Sequence, residues 1–111
     1  MNALKNRVQL IGNLGNEPEI IVMESGRKLA KFAIATNETY KNANGEKVTD
    51  TQWHNIIAWN KTAEIIEKYV QKGHEIMIEG KLTSRSYETK EGEKKYITEV
   101  VCNELLMLGN K

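Results

Sequence analysis

An all-β fold with a single helix is predicted by three observations on the 111-residue sequence. Apolar and polar residues alternate with period two over most of the chain, as they do in strands with one buried face. The period changes to helical spacing only once, in the middle of the chain. The length and the composition, with 40% hydrophobic and 28% charged residues, indicate a single globular domain over residues 1–111.

Strands are predicted first at 8–14, where Val8, Leu10, Gly12 and Leu14 share one face. A turn follows at 13–18, which contains the only proline. A short apolar strand at 20–23 is closed by the turn Glu-Ser-Gly-Arg at 24–27. The next strand runs over 29–40, with Phe32 on its core side.

Another strand is predicted over 48–59, after a polar loop at 41–47. Ala63, Ile66, Tyr69 and Val70 then recur at helical spacing and predict a helix of about ten residues, with these four side chains on its buried stripe. Asn60 or Thr62 is expected to cap its start, and Lys72-Gly73 to end it. Strands over 75–87 and 96–108 flank a hairpin loop at 90–93.

The order of these elements favours a particular barrel. A single helix between the third and fourth strands of a five-stranded set is the layout of the OB-fold Greek-key barrel. A generic small α+β domain is the alternative on this pattern alone.

Several functional classes are not supported by the sequence. No apolar run exceeds four residues, so no membrane span or signal core is expected. The lone Cys102 and two histidines make a poor metal set, and no metal or cofactor is expected. A cytoplasmic setting fits these observations best. No nucleophile, general base and oxyanion site can be assembled, so we expect a protein that is not an enzyme.

Four aromatic residues are poorly placed for a core. Trp53 and Trp59 are six residues apart, so they share one face of their strand, while Ile56 and Ala58 supply the core side. Tyr40 and Tyr87 end two long strands. Exposed aromatic rings suit stacking on unpaired bases, although a tryptophan can equally pack under a loop or at a subunit contact.

Basic residues accompany these rings and could follow a phosphate backbone. For any one of them, solvated surface is the alternative. The net charge of only +1 argues against a protein that binds duplexes by charge alone. The combination of rings and basic residues favours single strands, because a duplex hides its bases from stacking and no recognition helix is evident. The predicted single-stranded DNA contacts are Tyr40, Trp53, Trp59, Tyr87, Lys41, Lys47, Lys61, Lys72 and Arg85.

The sequence resembles the bacterial single-stranded DNA-binding protein (SSB) family over nearly its whole length. The resemblance lies in NRVQLIGNLG (6–15), EPE (17–19), FAIAT (32–36), TQWH (51–54), KTAE (61–64), YVQKG (69–73), IEGKL (78–82) and TEVV (98–101). It implies an OB fold that binds single-stranded DNA without sequence preference in replication, recombination and repair. It also implies stacking at Tyr40, Trp53, Trp59 and Tyr87, with basic contacts from Lys61, Lys72 and Arg85.

The resemblance further implies a homotetramer, with a dimer as the second possibility. Arg7 and Glu79 match a charged pair between dimers, His54 matches a position tied to subunit assembly, and Glu75 departs from the neutral residue common near that contact. Family members usually continue into a flexible tail with an acidic tip, whereas this sequence stops at Gly109-Asn110-Lys111. Partners recruited by such a tip are therefore not expected of this chain, whether it was cut or is naturally short.

Two other functions stay open at this point. One is a tail-less accessory protein of a primosome or mobile element that resembles the same family. The other is an OB module used only for protein contacts.

Overall fold

The computed structural model describes residues 5–108 and confirms an all-β fold with one helix. Its elements are β1 (Val8–Leu14), β2 (Glu19–Val22), β3 (Lys28–Lys41), β4 (Lys47–Trp59), α1 (Asn60–Tyr69), β5 (Glu75–Glu88) and β6 (Lys94–Leu108). The helix therefore lies between β4 and β5 when the short strand β2 is counted. Each predicted strand is present, and the observed ends differ from the predicted ones by at most two residues.

The five long strands close into a barrel. Their order around it is β1-β5-β6-β4-β3, and a short antiparallel pairing between β1 and β3 completes the circle. β4 and β6 run parallel where they meet, at Ile56 opposite Val100 and Ile57 opposite Val101. Short β2 pairs with the first residues of β3. This closed Greek-key arrangement is the predicted OB layout.

Two glycines allow the strands to approach closely where the barrel closes. A Cβ placed on Gly12 would collide with the backbone oxygen of Ala35, and one on Gly80 with that of Val101. At Gly80 the pairing between β5 and β6 also shifts by one residue. A glycine inside a strand commonly marks such a close approach or bulge.

The core fills the barrel and the space under the helix. The inward residues of each strand alternate with exposed ones, which is the pattern from which the strands were predicted. The buried cluster consists of Leu14, Ala30, Phe32, Ile34, Ile56, Ala58, Ala63, Ile66, Val70, Ile76, Ile78, Val100 and Cys102.

Two expectations for the helix are wrong. The residue before α1 is Trp59, and no side chain caps the helix, so neither Asn60 nor Thr62 has the predicted role. Asn60 has a positive φ of 54°, and its Oδ1 accepts a hydrogen bond from the Lys28 N–H. Tyr69 is 59% exposed rather than buried, because Val70 just beyond the helix fills the core position instead.

Two long hairpins carry strand pairing out to their turns. β3 and β4 pair without interruption from Leu29–Trp59 to Lys41–Lys47, and β5 and β6 pair as far as Glu88–Lys94. The outer parts of both hairpins are mostly exposed on both faces. They form two arms on the barrel that can contact a large ligand.

Candidate nucleic-acid interface

Both tryptophans lie on the outer face of β4, as predicted. They are separated by about 20 Å at ~3.3 Å per residue. Ile56 and Ala58 on the opposite face are fully buried, which fixes the strand's orientation. Asn55 lies between the tryptophans and is exposed. The face therefore has an aromatic ring near each end and a polar residue in between.

The indole of Trp53 lies over the β1–β2 connection. A Cβ placed on Gly15 would come within 2.6 Å of Trp53 Cη2, so the ring rests directly on the glycine backbone. Gly15 is held there by its N–H, which donates to the carbonyl of Ala33 at 3.0 Å. Trp53 nevertheless remains 61% exposed. One side of its ring is supported, and much of the indole is accessible.

Trp59 at the other end is half-buried and is partnered by a cation. The guanidinium carbon of Arg27 lies 4.3 Å from the centre of the Trp59 ring, in a cation–π contact. The neighbouring Lys28 is engaged elsewhere, because its Nζ lies 2.8 Å from a carboxylate oxygen of Glu67 on the helix. This ion pair raises the pKa of Lys28. Arg27 is thus the cation of the β2–β3 turn that lies at the aromatic site.

Two adjoining cavities run along this face and together are called the β4 groove here. One of about 450 Å³ lies beside Trp59, and another of about 280 Å³ lies beside Asn55. Lys31, Ile57 and Glu99 border both of them. The groove thus joins an apolar floor to polar and charged walls.

Arg85 reaches the groove from β5 and is paired there with Glu99 of β6. Its Nε donates to Oε1 at 3.1 Å and its Nη2 donates to Oε2 at 3.3 Å. Glu99 is only 3% exposed, whereas the Arg85 side chain is 55% exposed. The pair raises the pKa of Arg85, chiefly through the hydrogen bond. A basic side chain therefore borders the groove where the sequence predicts a DNA contact, but a carboxylate already compensates its charge.

The arms carry the two tyrosines. Tyr87 lies two residues beyond Arg85, so strand alternation puts it on the same side of the β5–β6 hairpin. On the β3–β4 hairpin, Lys41 and Lys47 are directly paired and share the side of Trp53, whereas Tyr40 alternates to the other side. Tyr40 is exposed, but the sheet does not bring it onto the face of the tryptophans.

The remaining predicted cations lie on the helix and in the connection to β5. Lys61 is exposed in the first turn of the helix, two residues after Trp59. Lys72 is exposed in the connection to β5, and the next residue, Gly73, donates its N–H to the Leu14 carbonyl at 3.0 Å. That contact puts Lys72 near Gly15, which supports the Trp53 ring.

Sequence reasoning missed Arg27, Lys31 and Glu99. Lys31 could have been found, because it alternates with Phe32 and so faces outward beside Ile57. Arg27 gave no local signal, since it meets Trp59 only through the pairing of β3 with β4. Glu99 resembled an ordinary exposed acid.

A second exposed surface lies on β1, β5 and β6. Ile11, Met77 and Leu106 lie side by side in register across β1, β5 and β6 and are called the apolar sheet face here. Ile11 is 50% exposed and Leu106 is 54% exposed. Arg7 and Glu79 form an ion pair of 2.6 Å within the chain at the edge of this face.

The predicted assembly residues are divided between two places. Glu75 is paired with Asn13 and shares the outer face of β5 with Met77 and Glu79, but it lies at the opposite end of β1 from Arg7. His54 is instead half-buried on the inner side of β4, where its Nε2 lies 3.1 Å from Oγ1 of Thr36. The structure therefore groups three of the four residues and separates His54 from them.

Two kinds of feature are absent from residues 5–108. Within that range, no helix is long and apolar enough to cross a membrane. In the same part of the chain, no three His, Cys, Asp or Glu side chains are grouped as metal ligands would be.

A closed five-stranded barrel with one helix, crossed by an open groove between tryptophans, defines an OB-fold domain. The chain belongs to the single-strand binding protein family, whose model matches residues 5–108. The resemblance inferred from the sequence is therefore confirmed.

Curated relatives carry the same description. The chain is 46% identical over 107 residues to single-stranded DNA-binding protein 1 of Chlorobaculum tepidum, covering 96% of this chain and 66% of that protein. It is 42% identical over 106 residues to the single-stranded DNA-binding protein of Neisseria meningitidis serogroup B, covering 96% and 61%. The chain thus spans less than two thirds of the length of these relatives.

A solved structure shares the fold. The Plasmodium falciparum SSB in complex with ssDNA superposes with a TM-score of 0.86 at 34% identity, over 94% of this chain and 95% of that one.

Proposed function

We propose that this protein binds single-stranded DNA without sequence preference and coats exposed strands during replication, recombination and repair. In this proposal the protein acts by binding and has no catalytic role. It works in the cytoplasm, in association with the nucleoid. Its relatives are named for single-stranded DNA binding, and the similar solved structure is described as a complex with ssDNA.

The β4 groove carries this proposal, with half-buried Trp59 on its border and exposed Trp53 two residues beyond its Asn55. Accessible ring faces on a fixed strand offer flat surfaces on which successive unpaired bases stack, at ~1–3 kcal/mol per base. Every base has a π face, so stacking does not select a sequence. A duplex keeps its bases stacked on each other and would not reach these rings.

Cations around the groove supply the phosphate contacts in this proposal. Arg27 and Lys31 lie at its Trp59 end, and Lys61 follows the same tryptophan along the chain. Lys72 lies near the Trp53 end. A strand that stacks on both tryptophans would keep its backbone close to these side chains.

The arms extend the same path. Tyr87 continues the side on which Arg85 borders the groove. Lys41 and Lys47 lie on the Trp53 side of the other arm, and Tyr40 is reached only by a strand that wraps around that arm. We infer that the bound strand follows the groove and then bends over the arms.

A titration with oligo(dT) tests this function. Strong quenching of tryptophan fluorescence is expected, because both tryptophans lie in the proposed site. Oligo(U) of equal length and a duplex of equal length measure the preference for DNA and for single strands. The absence of both fluorescence quenching and a mobility shift with oligo(dT) at low salt would refute DNA binding.

We further propose that the apolar sheet face is the contact between copies of the chain in a homotetramer. Exposed Ile11 and Leu106 and half-buried Met77 form an apolar strip with charged residues at its edge, as contact surfaces between proteins do. Several copies would bring several grooves to one strand and raise its overall affinity. Sedimentation equilibrium should give four times the chain mass, and a dimer mass would restrict the assembly to one pair.

A further inference from the structure

A buried carboxylate borders a groove that we propose for a polyanion. Glu99 is 3% exposed and lies on the border of both cavities of the β4 groove. Burial of a charge is unfavourable unless it is paired and hydrogen-bonded. A negative charge there also weakens the attraction of phosphates, so its place in the groove needs an explanation.

The explanation lies in how Glu99 holds Arg85. The two hydrogen bonds use Nε and Nη2 of the guanidinium, which is the side edge of the group. A guanidinium has five N–H donors in one plane, so both N–H groups of Nη1 and one of Nη2 are not used by this carboxylate. The Arg85 side chain is 55% exposed and borders the same cavity as Trp59.

We propose that Glu99 is a positioning residue for DNA binding: it fixes Arg85 so that the free edge of the guanidinium meets a nucleotide stacked on Trp59. This role rests on the proposed function. A free arginine would lose many rotamers on binding, whereas one held by a two-point hydrogen bond has already lost them. Thr83 secures the same place, since its hydroxyl donates to the Glu99 carbonyl at 3.4 Å.

A simple electrostatic role for Glu99 predicts the opposite effect of its removal. If Glu99 only reduced the positive charge of the groove, Glu99→Gln would free Arg85 for phosphate, tighten binding and steepen its salt dependence. If Glu99 positions Arg85, the same change weakens binding although it adds one net positive charge. The direction of the change therefore separates the two roles.

The experiment measures the Kd for oligo(dT) at two salt concentrations for the full chain and five variants, one of which is the double variant Arg85→Ala/Glu99→Gln. Glu99→Gln should weaken binding about fivefold or more without a steeper salt dependence. Arg85→Lys should weaken it similarly, because an ammonium cannot form the two-point contact. Glu99→Gln should add little in an Arg85→Ala background. Glu64→Gln, an equal charge change at an exposed helix position, should leave the Kd within twofold.

Each outcome has one meaning. If Glu99→Gln binds oligo(dT) as tightly as wild type or more tightly, the positioning role is overturned while the proposed function stands. If Glu99→Gln melts at too low a temperature to be measured, Arg85→Lys decides, since its exposed site tolerates the change, and wild-type binding by that variant overturns the role. Failure of the wild type to bind oligo(dT) overturns the proposed function and this role together.

Discussion

Replacing Gly15 by alanine should weaken DNA binding through Trp53, although residue 15 is proposed to touch no DNA. The added Cβ would lie 2.6 Å from Trp53 Cη2. Carbon atoms in good contact are about 3.5–4.0 Å apart, so the indole must retreat by roughly 1 Å. Trp53 is 61% exposed, which leaves it room to move outward.

The expected change in stability is small. Gly15 is not among the residues with positive φ, so alanine can adopt its backbone conformation. A compatible glycine-to-alanine change stabilises by about 0.4–1 kcal/mol through the unfolded chain. The displaced ring loses some contact with the β1–β2 connection, which offsets this gain. We expect the free energy of unfolding to change by less than about 1 kcal/mol.

The expected change in binding is larger. A well-placed ring contributes ~1–3 kcal/mol per stacked base, and a ring moved from its support should lose part of this. We expect a loss of about 0.5–1.5 kcal/mol, or roughly two- to tenfold in Kd. Titration with oligo(dT) and urea unfolding of the same samples measure the two quantities.

A double-mutant cycle tests whether the effect passes through Trp53. Trp53→Ala removes the ring, so Gly15→Ala should have almost no effect on binding in that background. An unchanged Kd for Gly15→Ala alone would refute the reasoning. An equal loss with and without Trp53 would show that the glycine acts by another route.

Three further predictions concern other parts of the molecule. Trp59→Ala should weaken binding by ~1–3 kcal/mol in the same titration, whereas Tyr69→Ala, on the exposed side of the helix, should not. Burial raises the pKa of Cys102 from 9.0 to about 11, so the folded state holds the thiol proton more tightly. The contribution of this thiol to the free energy of unfolding is complete below pH 9.0 and is lost as the pH rises to about 11, because the unfolded chain releases the proton first. Urea unfolding over this pH range should show that wild type loses roughly 2–3 kcal/mol more than Cys102→Ala. Parallel curves for the two proteins would contradict this prediction. Ile11→Lys should lower the mass in sedimentation equilibrium, and Ile65→Lys, an exposed apolar position on the helix, should not.

The strands were predictable because their burial alternates along the chain itself. Ile56 and Ala58 identify the inner face of β4, and this alone fixes both tryptophans on the outer face. The arrangement of a site on one strand can therefore be derived from local pattern. The same applies to Arg85 and Tyr87 on β5, which are two residues apart.

Contacts between strands were not predictable in this way. Arg27 meets Trp59 because β3 and β4 pair with Leu29 opposite Trp59, a register that no local pattern specifies. Glu99 is buried because it lies beside the β4–β6 contact at Ile56–Val100 and is paired with the Arg85 guanidinium. The prediction that Tyr69 is buried is wrong for a different reason. Tyr69 and Val70 are neighbours in the sequence, and of the two only Val70 packs in the core, which leaves Tyr69 exposed.

The small net charge of the chain is reflected in its structure, where several basic side chains are paired with acidic ones. Among residues 5–108, Arg85 is paired with Glu99, Lys28 with Glu67 and Arg7 with Glu79. A cation already neutralised by the protein releases few further counterions when DNA arrives, so it adds little to the salt dependence of binding. What such a cation does add is geometry, because the carboxylate fixes the direction of its free donors. A small net charge is therefore compatible with a nucleic-acid interface when stacked rings and oriented hydrogen bonds carry a larger share of the affinity than net charge does.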